Sequence, residues 1–360
     1  MIPIAKPQID EAEIRAVSDV LRSGMIAQGQ RVADFEQAFA EYTGVDHAVA
    51  VNSGTAALHA GLLAHDIGPG DEVITSPFSF IATANTILYT GARPVFSDIS
   101  PDTFNLDPEQ VTAKITDKTK AIMPVHLYGH PADMKAYEEI AEDYDLALVE
   151  DACQAHGASF NGKKAGSFGT GAFSFYPTKN MTTSEGGMIT TDDEKVASRA
   201  RMVREHGSRQ RYMHEMLGYN LRMTDICAAI GIEQLKKLDD YTSARQQNAK
   251  KLNEGLRDVK ALTCPAVREG CSHVFHQYTI RTQDRDDLSS FLRDKGIGTG
   301  IHYPIPIHLQ PYYRELGYND SLPVAEELSD EVLSLPVHPQ VTGEDINFII
   351  DSIKEWGGTR

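Results

Sequence analysis

From residue 47 onward the chain alternates short β-branched runs with helical stretches, and this alternation narrows its fold more than any other feature. The runs HAVAV, EVITS and RPVFSDI are separated by TAALHAGLLA and FIATANTILYT, a β-α-β-α-β series. It continues with a helix near 108–115, the strand KAIMPVH, a helix over 132–143 and the strand LALVED, which ends at Asp151. Such alternation builds a mostly parallel sheet with helices on both faces, an α/β fold. Two further strands, AFSFY and GMITT, and a helix over 193–205 complete the large lobe. Before the series, residues 11–23 and 31–42 read as amphipathic helices, the first opened by Asp10 and closed by Gly24.

Residues 224–257 read as one long or broken helix that bridges to a smaller α+β lobe. There the expected strands are HQYTIRT and GTGIHYP, and the expected helices cover 286–294, 322–333 and 343–355. We divide the 360 residues into a large domain, 1–235, and a small C-terminal domain, 236–360, leaving room for the first 10–25 residues to pack on the small one. No internal repeat or low-complexity linker interrupts this plan.

A formal net charge of -17 argues against a nucleic-acid binder, which needs a basic face. An anionic ligand would have to find local basic groups. No apolar run reaches the length of a membrane span, and the start, MIPIAKPQIDEAEIRAV, lacks the basic-then-apolar plan of a signal peptide, so a cytoplasmic protein is expected. Cys153, Cys227, Cys264 and Cys271 form no CxxC pair, so neither a metal site nor a disulfide framework is suggested.

Sheets of this type bind ligands beyond the carboxyl ends of their strands. Four such positions stand out. Ser53-Gly54-Thr55 follows HAVAV and opens a helix, where free N–H groups suit a phosphate, although the same residues serve as a plain helix cap. Phe80 follows EVITS at the mouth of the sheet, where a ring can stack on a planar heterocycle or simply pack in the core. Asp151 ends a buried strand and requires something cationic: a protonated pyridine nitrogen, a metal, an Arg or a helix N-terminus. Lys179, with Ser174 just before it, follows the strand AFSFY; a lone lysine is ordinarily surface charge, but one seated in a site can form a Schiff base with an aldehyde. Phosphate cradle, stacking aromatic, buried acid and lysine together match the needs of pyridoxal phosphate.

Seven segments in order, SGTAALHAGL, GPGDEVITSPFSFIATAN, DACQAHGA, FSFYPTKN, EGGMI, GYNLRMTDICAAIG and HYPIPIHLQ, resemble the DegT/DnrJ/EryC1/StrS family of sugar aminotransferases. The resemblance runs nearly end to end. It implies fold-type I, an aspartate aminotransferase-like large domain with a seven-stranded type of sheet, and pyridoxal 5'-phosphate alternating with pyridoxamine 5'-phosphate. It makes Lys179 the Schiff-base lysine and proton-transfer base, and Asp151 the partner of the ring nitrogen. Gln154 then lies beside the ring and Phe80 on one face, with the phosphate held by Ser53, Gly54, Thr55 and Ser174. Asn220 matches an asparagine that reaches the phosphate from a neighbouring subunit, which implies a homodimer with shared sites. His126, Tyr128, Arg222, His302, Tyr303 and His308 match positions that could face substrate, with packing as the plain explanation to set against each. Two departures are Cys153, where Ala is usual, and His130, where Gln is frequent.

The activity implied is transfer of an amino group from L-glutamate to a nucleotide-linked keto sugar. HYPIP and YGHPAD look more like members acting at carbon 3, including those handling UDP-linked N-acetylated hexuloses or hexuluronic acids, than like perosamine-type members acting at carbon 4. A sugar dehydratase of the same family typically has histidine at the position of Lys179. Two rivals remain: a cofactor-binding regulatory protein without turnover, and a nicotinamide dehydrogenase, whose GxGxxG turn this chain lacks.

Overall fold

The computed structural model describes residues 1–358. Seven strands form the central sheet: β1 (His47–Val51), β2 (Glu72–Thr75), β3 (Arg93–Phe96), β4 (Thr119–Met123), β5 (Ala147–Asp151), β6 (Thr170–Ser174) and β7 (Gly187–Thr191). Their spatial order is β1-β7-β6-β5-β4-β2-β3. Only β7 runs antiparallel to its neighbours, β1 and β6; the remaining pairs are parallel.

Alternation along each strand sorts the core into two layers, because successive side chains leave a strand on opposite faces. Val49, Val51, Ala172 and Ile189 pack on one side with Leu58 and Leu62 of the helix Gly54–Ala64 and Val196 of the helix Glu194–Arg204. Ala48, Ala50, Phe173 and Met188 face the other side, against Phe35 and Phe39 of the helix Gln30–Thr43. Edge-on aromatic contacts lock that side, with Phe39 and Phe173 ring centres 5.0 Å apart. With helices on both faces, these strands are buried nearly throughout.

Of the two readings of residues 224–257, one long helix or a broken one, the structure has the broken one, interrupted at residues 236–237 between Asp225–Leu235 and Leu238–Leu256. Beyond it the C-terminal lobe gathers Tyr278, Leu288, Leu292, Leu333, Leu335, Ile346 and Trp356 into its own core. Its two-stranded sheet pairs Tyr278–Arg281 with Val332–Leu335, antiparallel. GTGIHYP does not form the expected strand; only Gly300 bridges to Ser334. The second strand lies instead where the sequence suggested the end of a helix, since the helix Pro323–Glu331 stops and the apolar VLSL run continues extended. A four-residue apolar run carries no periodicity that separates the two outcomes. The first residues do meet this lobe: Ile2 N donates to Gly296 O at 2.8 Å, and Ile2 O accepts in turn from Gly298 N. No helix among the described residues is long and apolar enough to cross a membrane.

The helix Gln30–Thr43 has no cap of its own, because Gly29 stands at its N-cap. Asp225, buried and nearly two hundred residues away, supplies one: its carboxylate accepts from Gly29 N at 2.8 Å and Val32 N at 3.1 Å. Asp225→Ala strands these donors and is expected to lower the unfolding free energy by about 2 kcal/mol. Denaturant titration checks this, and an unchanged midpoint would contradict it.

Candidate functional site

Four of the strand ends converge on one cavity of about 430 Å³. The loop after β1 brings Ser53, Gly54 and Thr55; after β2 come Ser79, Phe80 and Thr83; β5 ends in Asp151, followed by Cys153 and Gln154; and β6 leads to Ser174, Tyr176, Thr178 and Lys179. His276, Gln277, His302 and Tyr303 close it from the C-terminal lobe.

At the floor, Ser53 Oγ accepts from Ala56 N at 3.1 Å and caps the helix Gly54–Ala64, whose N-terminus opens into the cavity. Gly54 is required there: a Cβ would stand 2.5 Å from Ser174 Cβ and 3.1 Å from Cys153 Sγ. Asp151 is 4% exposed. Thr83 Oγ1 donates to its Oδ2 at 2.7 Å and Cys153 N approaches Oδ1 at 3.2 Å. Gln154 is held at both ends, accepting from Tyr128 N at 2.8 Å and donating to the Tyr303 hydroxyl at 3.1 Å. Burial pushes the Lys179 amine below its ordinary range, against the smaller opposite pull of Cys153 and Asp151. Phe80 stands at the mouth, 56% exposed, with its ring centre 6.4 Å from that of Tyr303.

The structure therefore brings Ser53, Gly54, Thr55, Phe80, Asp151, Gln154, Ser174, Lys179, His302 and Tyr303 to one place. It does not bring the other five. His126 is fully buried behind β5, its Nε2 3.0 Å from Glu150 Oε2 and its Nδ1 accepting from Ala132 N. Glu150 also accepts from Gly166, Phe168 and Gly169 N–H groups, so His126 completes a structural set. Tyr128 is buried with its hydroxyl on the His302 carbonyl, and its backbone, at φ 59°, serves Gln154. His308 is buried with Nε2 3.2 Å from Glu326. Arg222 pairs with Glu205 at 2.5 Å and lines a separate surface recess with Arg201 and Ser208. Asn220 is exposed.

Sequence reasoning passed over Thr83, Cys153, Glu185, His276 and Gln277, all of which line the cavity. Thr83 sits inside a helix and carries no signal by itself. Cys153 was visible as a departure within DACQAHGA, and the structure puts it beside the floor rather than outside the site.

The whole chain has close counterparts. Residues 7–354 match the model of the DegT/DnrJ/EryC1/StrS aminotransferase family. A pleiotropic regulatory protein of Geobacillus stearothermophilus is 44% identical over 98% of this chain and 95% of its own length. The dTDP-3-amino-3,4,6-trideoxy-alpha-D-glucose transaminase of Streptomyces venezuelae is 42% identical over 95% and 91%. GDP-perosamine synthase of Caulobacter vibrioides is 41% identical over 98% of each chain. Among solved structures, S. venezuelae DesV in complex with a ketimine intermediate superposes with a TM-score of 0.94, at 41% identity, over 96% of this chain and 94% of that one.

Two buried histidines make stability sensitive to acid. Burial pushes His156 down to about 3 and His130 to about 4, from about 6.5 in the unfolded chain. Their folded values are depressed, so both states are neutral above pH 7, whereas below pH 6.5 only the unfolded chain takes up protons and stability falls. We expect the unfolding free energy to be about 2 to 3 kcal/mol lower at pH 5.5 than at pH 7.5. Denaturant titrations at the two pH values measure it; equal stabilities would be incompatible with neutral buried imidazoles.

Proposed function

The chain belongs to the DegT/DnrJ/EryC1/StrS aminotransferase family, and from that premise we propose that it carries an amino group from L-glutamate to carbon 3 of a nucleotide-linked keto sugar, with Lys179 as the cofactor lysine. The single observation that carries this reading is the meeting of Lys179 and Asp151 in one cavity above a capped helix N-terminus. The family's cofactor, pyridoxal phosphate, fits the residues present. A glycine-lined helix start suits its phosphate, a buried carboxylate suits its ring nitrogen, and an amine whose pKa burial lowers suits its aldehyde. When bound, the cofactor supplies that aldehyde and a protonated ring that draws electrons from the carbon bearing the nitrogen.

The chain's own residues then divide the work. Gly54 and Thr55 N–H groups and the Ser53 and Ser174 hydroxyls would hold the phosphate. Asp151, oriented by Thr83, would keep a proton on the ring nitrogen. Gln154 and Phe80 would help to hold the ring. Lys179 Nζ takes the Cα proton from the amino donor in the first half-reaction and returns a proton to the sugar carbon in the second. Asn220 lines no part of its own protomer's cavity, in keeping with a role on the phosphate of a partner in a two-fold homodimer. Arg222, two residues along, would travel with it.

Carbon 3 is favoured by the HYPIP and YGHPAD segments and fits the activity that gives the S. venezuelae transaminase its name. The preferred acceptor is a UDP-linked N-acetylated hexulose or hexuluronic acid. Amination at carbon 4 is the second reading, supported by the nearly equal identity to GDP-perosamine synthase. A sugar dehydratase is disfavoured by Lys179, and a regulatory protein without turnover by the complete set of Lys179, Asp151 and Ser174.

Converting the purified protein to its pyridoxamine form and offering UDP-, dTDP- and GDP-linked 3-keto and 4-keto sugars decides the acceptor. Return of the aldehyde form's absorbance with the UDP-linked 3-keto sugar is expected; an equal response to all, or none, would defeat that choice. Lys179→Ala should abolish conversion by L-glutamate. Thr83→Val should weaken pyridoxal phosphate binding about tenfold or more, because a hydrogen bond to a buried carboxylate is lost; fluorescence titration of the cofactor-free protein measures it.

A further inference from the structure

The run Glu185-Gly186-Gly187 contains two glycines that packing explains. A Cβ on Gly186 would lie 2.3 Å from Thr183 Oγ1, and one on Gly187 would lie 2.3 Å from the Ser53 carbonyl oxygen. Packing does not explain Glu185. It lines the cavity and is exposed, and its carboxylate meets no donor of the chain among the described residues.

The backbone that presents it is held firmly. Ser184 has φ +73°, in the left-handed region that a serine enters only when its surroundings fix it there. Thr182 Oγ1 accepts from Ser184 N at 3.0 Å and donates to Phe175 O at 2.9 Å, while Thr183 Oγ1 donates to Glu185 O at 2.7 Å. Main-chain bonds from Thr183 N to Phe175 O and from Phe175 N to Gly186 O close the turn. A carboxylate is thus carried on a fixed support joined to the segment that ends β6 and carries Lys179.

Its charge restricts what it can meet. A nucleotide sugar brings a diphosphate, and among the described residues Lys179 is the only Lys or Arg lining the cavity. A free carboxylate repels phosphate, but as an acceptor-only group it suits hydroxyl and amide N–H donors. Its neighbours leave that task open. Asn180 donates through Nδ2 to Val274 O at 3.1 Å, so its Oδ1 accepts from His276 Nδ1 at 3.3 Å. The Tyr303 hydroxyl already accepts from Gln154.

We propose that Glu185 reads the sugar ring, accepting hydrogen bonds from two adjacent hydroxyls or from a hydroxyl and an acetamido N–H, and that it takes no part in the half-reaction with the amino donor. The inference rests on the nucleotide-sugar reading given above. A site built around such an acceptor discriminates against sugars that lack the donors.

The test uses cofactor-loaded wild type, Glu185→Gln and Glu185→Ala in calorimetric titrations. Each nucleoside diphosphate is compared with its sugar conjugate: UDP with UDP-N-acetylglucosamine, dTDP with dTDP-glucose, GDP with GDP-mannose. In wild type the sugar is expected to add affinity for at least one pair. That increment should fall tenfold or more in Glu185→Ala and less in Glu185→Gln, whose amide oxygen still accepts. Affinity for the bare diphosphate and the rate of cofactor conversion by L-glutamate should stay within twofold. Equal losses for diphosphate and conjugate, a slowed glutamate reaction, or an unchanged increment would each overturn the role of Glu185 while leaving the nucleotide-sugar reading intact. Failure of wild type to bind any pair would overturn both.

Discussion

Two consecutive carboxylates at the end of β5 constrain everything around them. Neighbouring residues on a strand face opposite ways, so Glu150 points behind the sheet and Asp151 into the cavity. A buried carboxylate must be compensated. Glu150 is compensated in full, by three backbone N–H groups of the turn before β6 and by His126. That set ties the entry of β6 to the end of β5 and thereby fixes the strand that leads to Lys179. Asp151 has only the Thr83 hydroxyl and one long contact from Cys153 N. Its remaining capacity faces the cavity, where a cationic ring nitrogen would complete it. The rear of the strand is finished by the protein and the front is left for a ligand.

The C-terminal lobe contributes a different kind of wall. The sheet supplies fixed groups at strand ends, whereas His276, Gln277, His302 and Tyr303 come from irregular segments that lean on the sheet through Gln154 and Tyr128. One wall of the cavity thus sits on the rigid element and the other on loops, where change costs least.

Much of this was legible in the chain. The sheet could be read because its strands are short, β-branched and separated by helices of ordinary length, and the residues after β1, β5 and β6 could be inspected as a set. Val332–Leu335 could not, because extension there is imposed by pairing with Tyr278–Arg281 and not by any local pattern. His126, Tyr128 and His308 had the residue types of a binding site, but a sequence does not display which imidazole or phenol is sealed in packing. Thr83 and Glu185 were missed for the converse reason. A threonine inside a helix and a glutamate before two glycines acquire meaning only when Asp151 and an open cavity are seen to lie beside them.

The pairing of Ile2 with the segment Gly296–Gly298 bears on how the molecule is made. All seven strands of the sheet lie between residues 47 and 191, so the floor of the cavity can assemble while the rest of the chain is still being synthesised. Ile2 meets partners nearly three hundred residues further along the chain. The small lobe is stitched from segments far apart in the sequence. Its closure over the cavity, through His276, Gln277, His302 and Tyr303, therefore waits on residues made well after the floor, and until then the lysine-bearing floor stands open on one side.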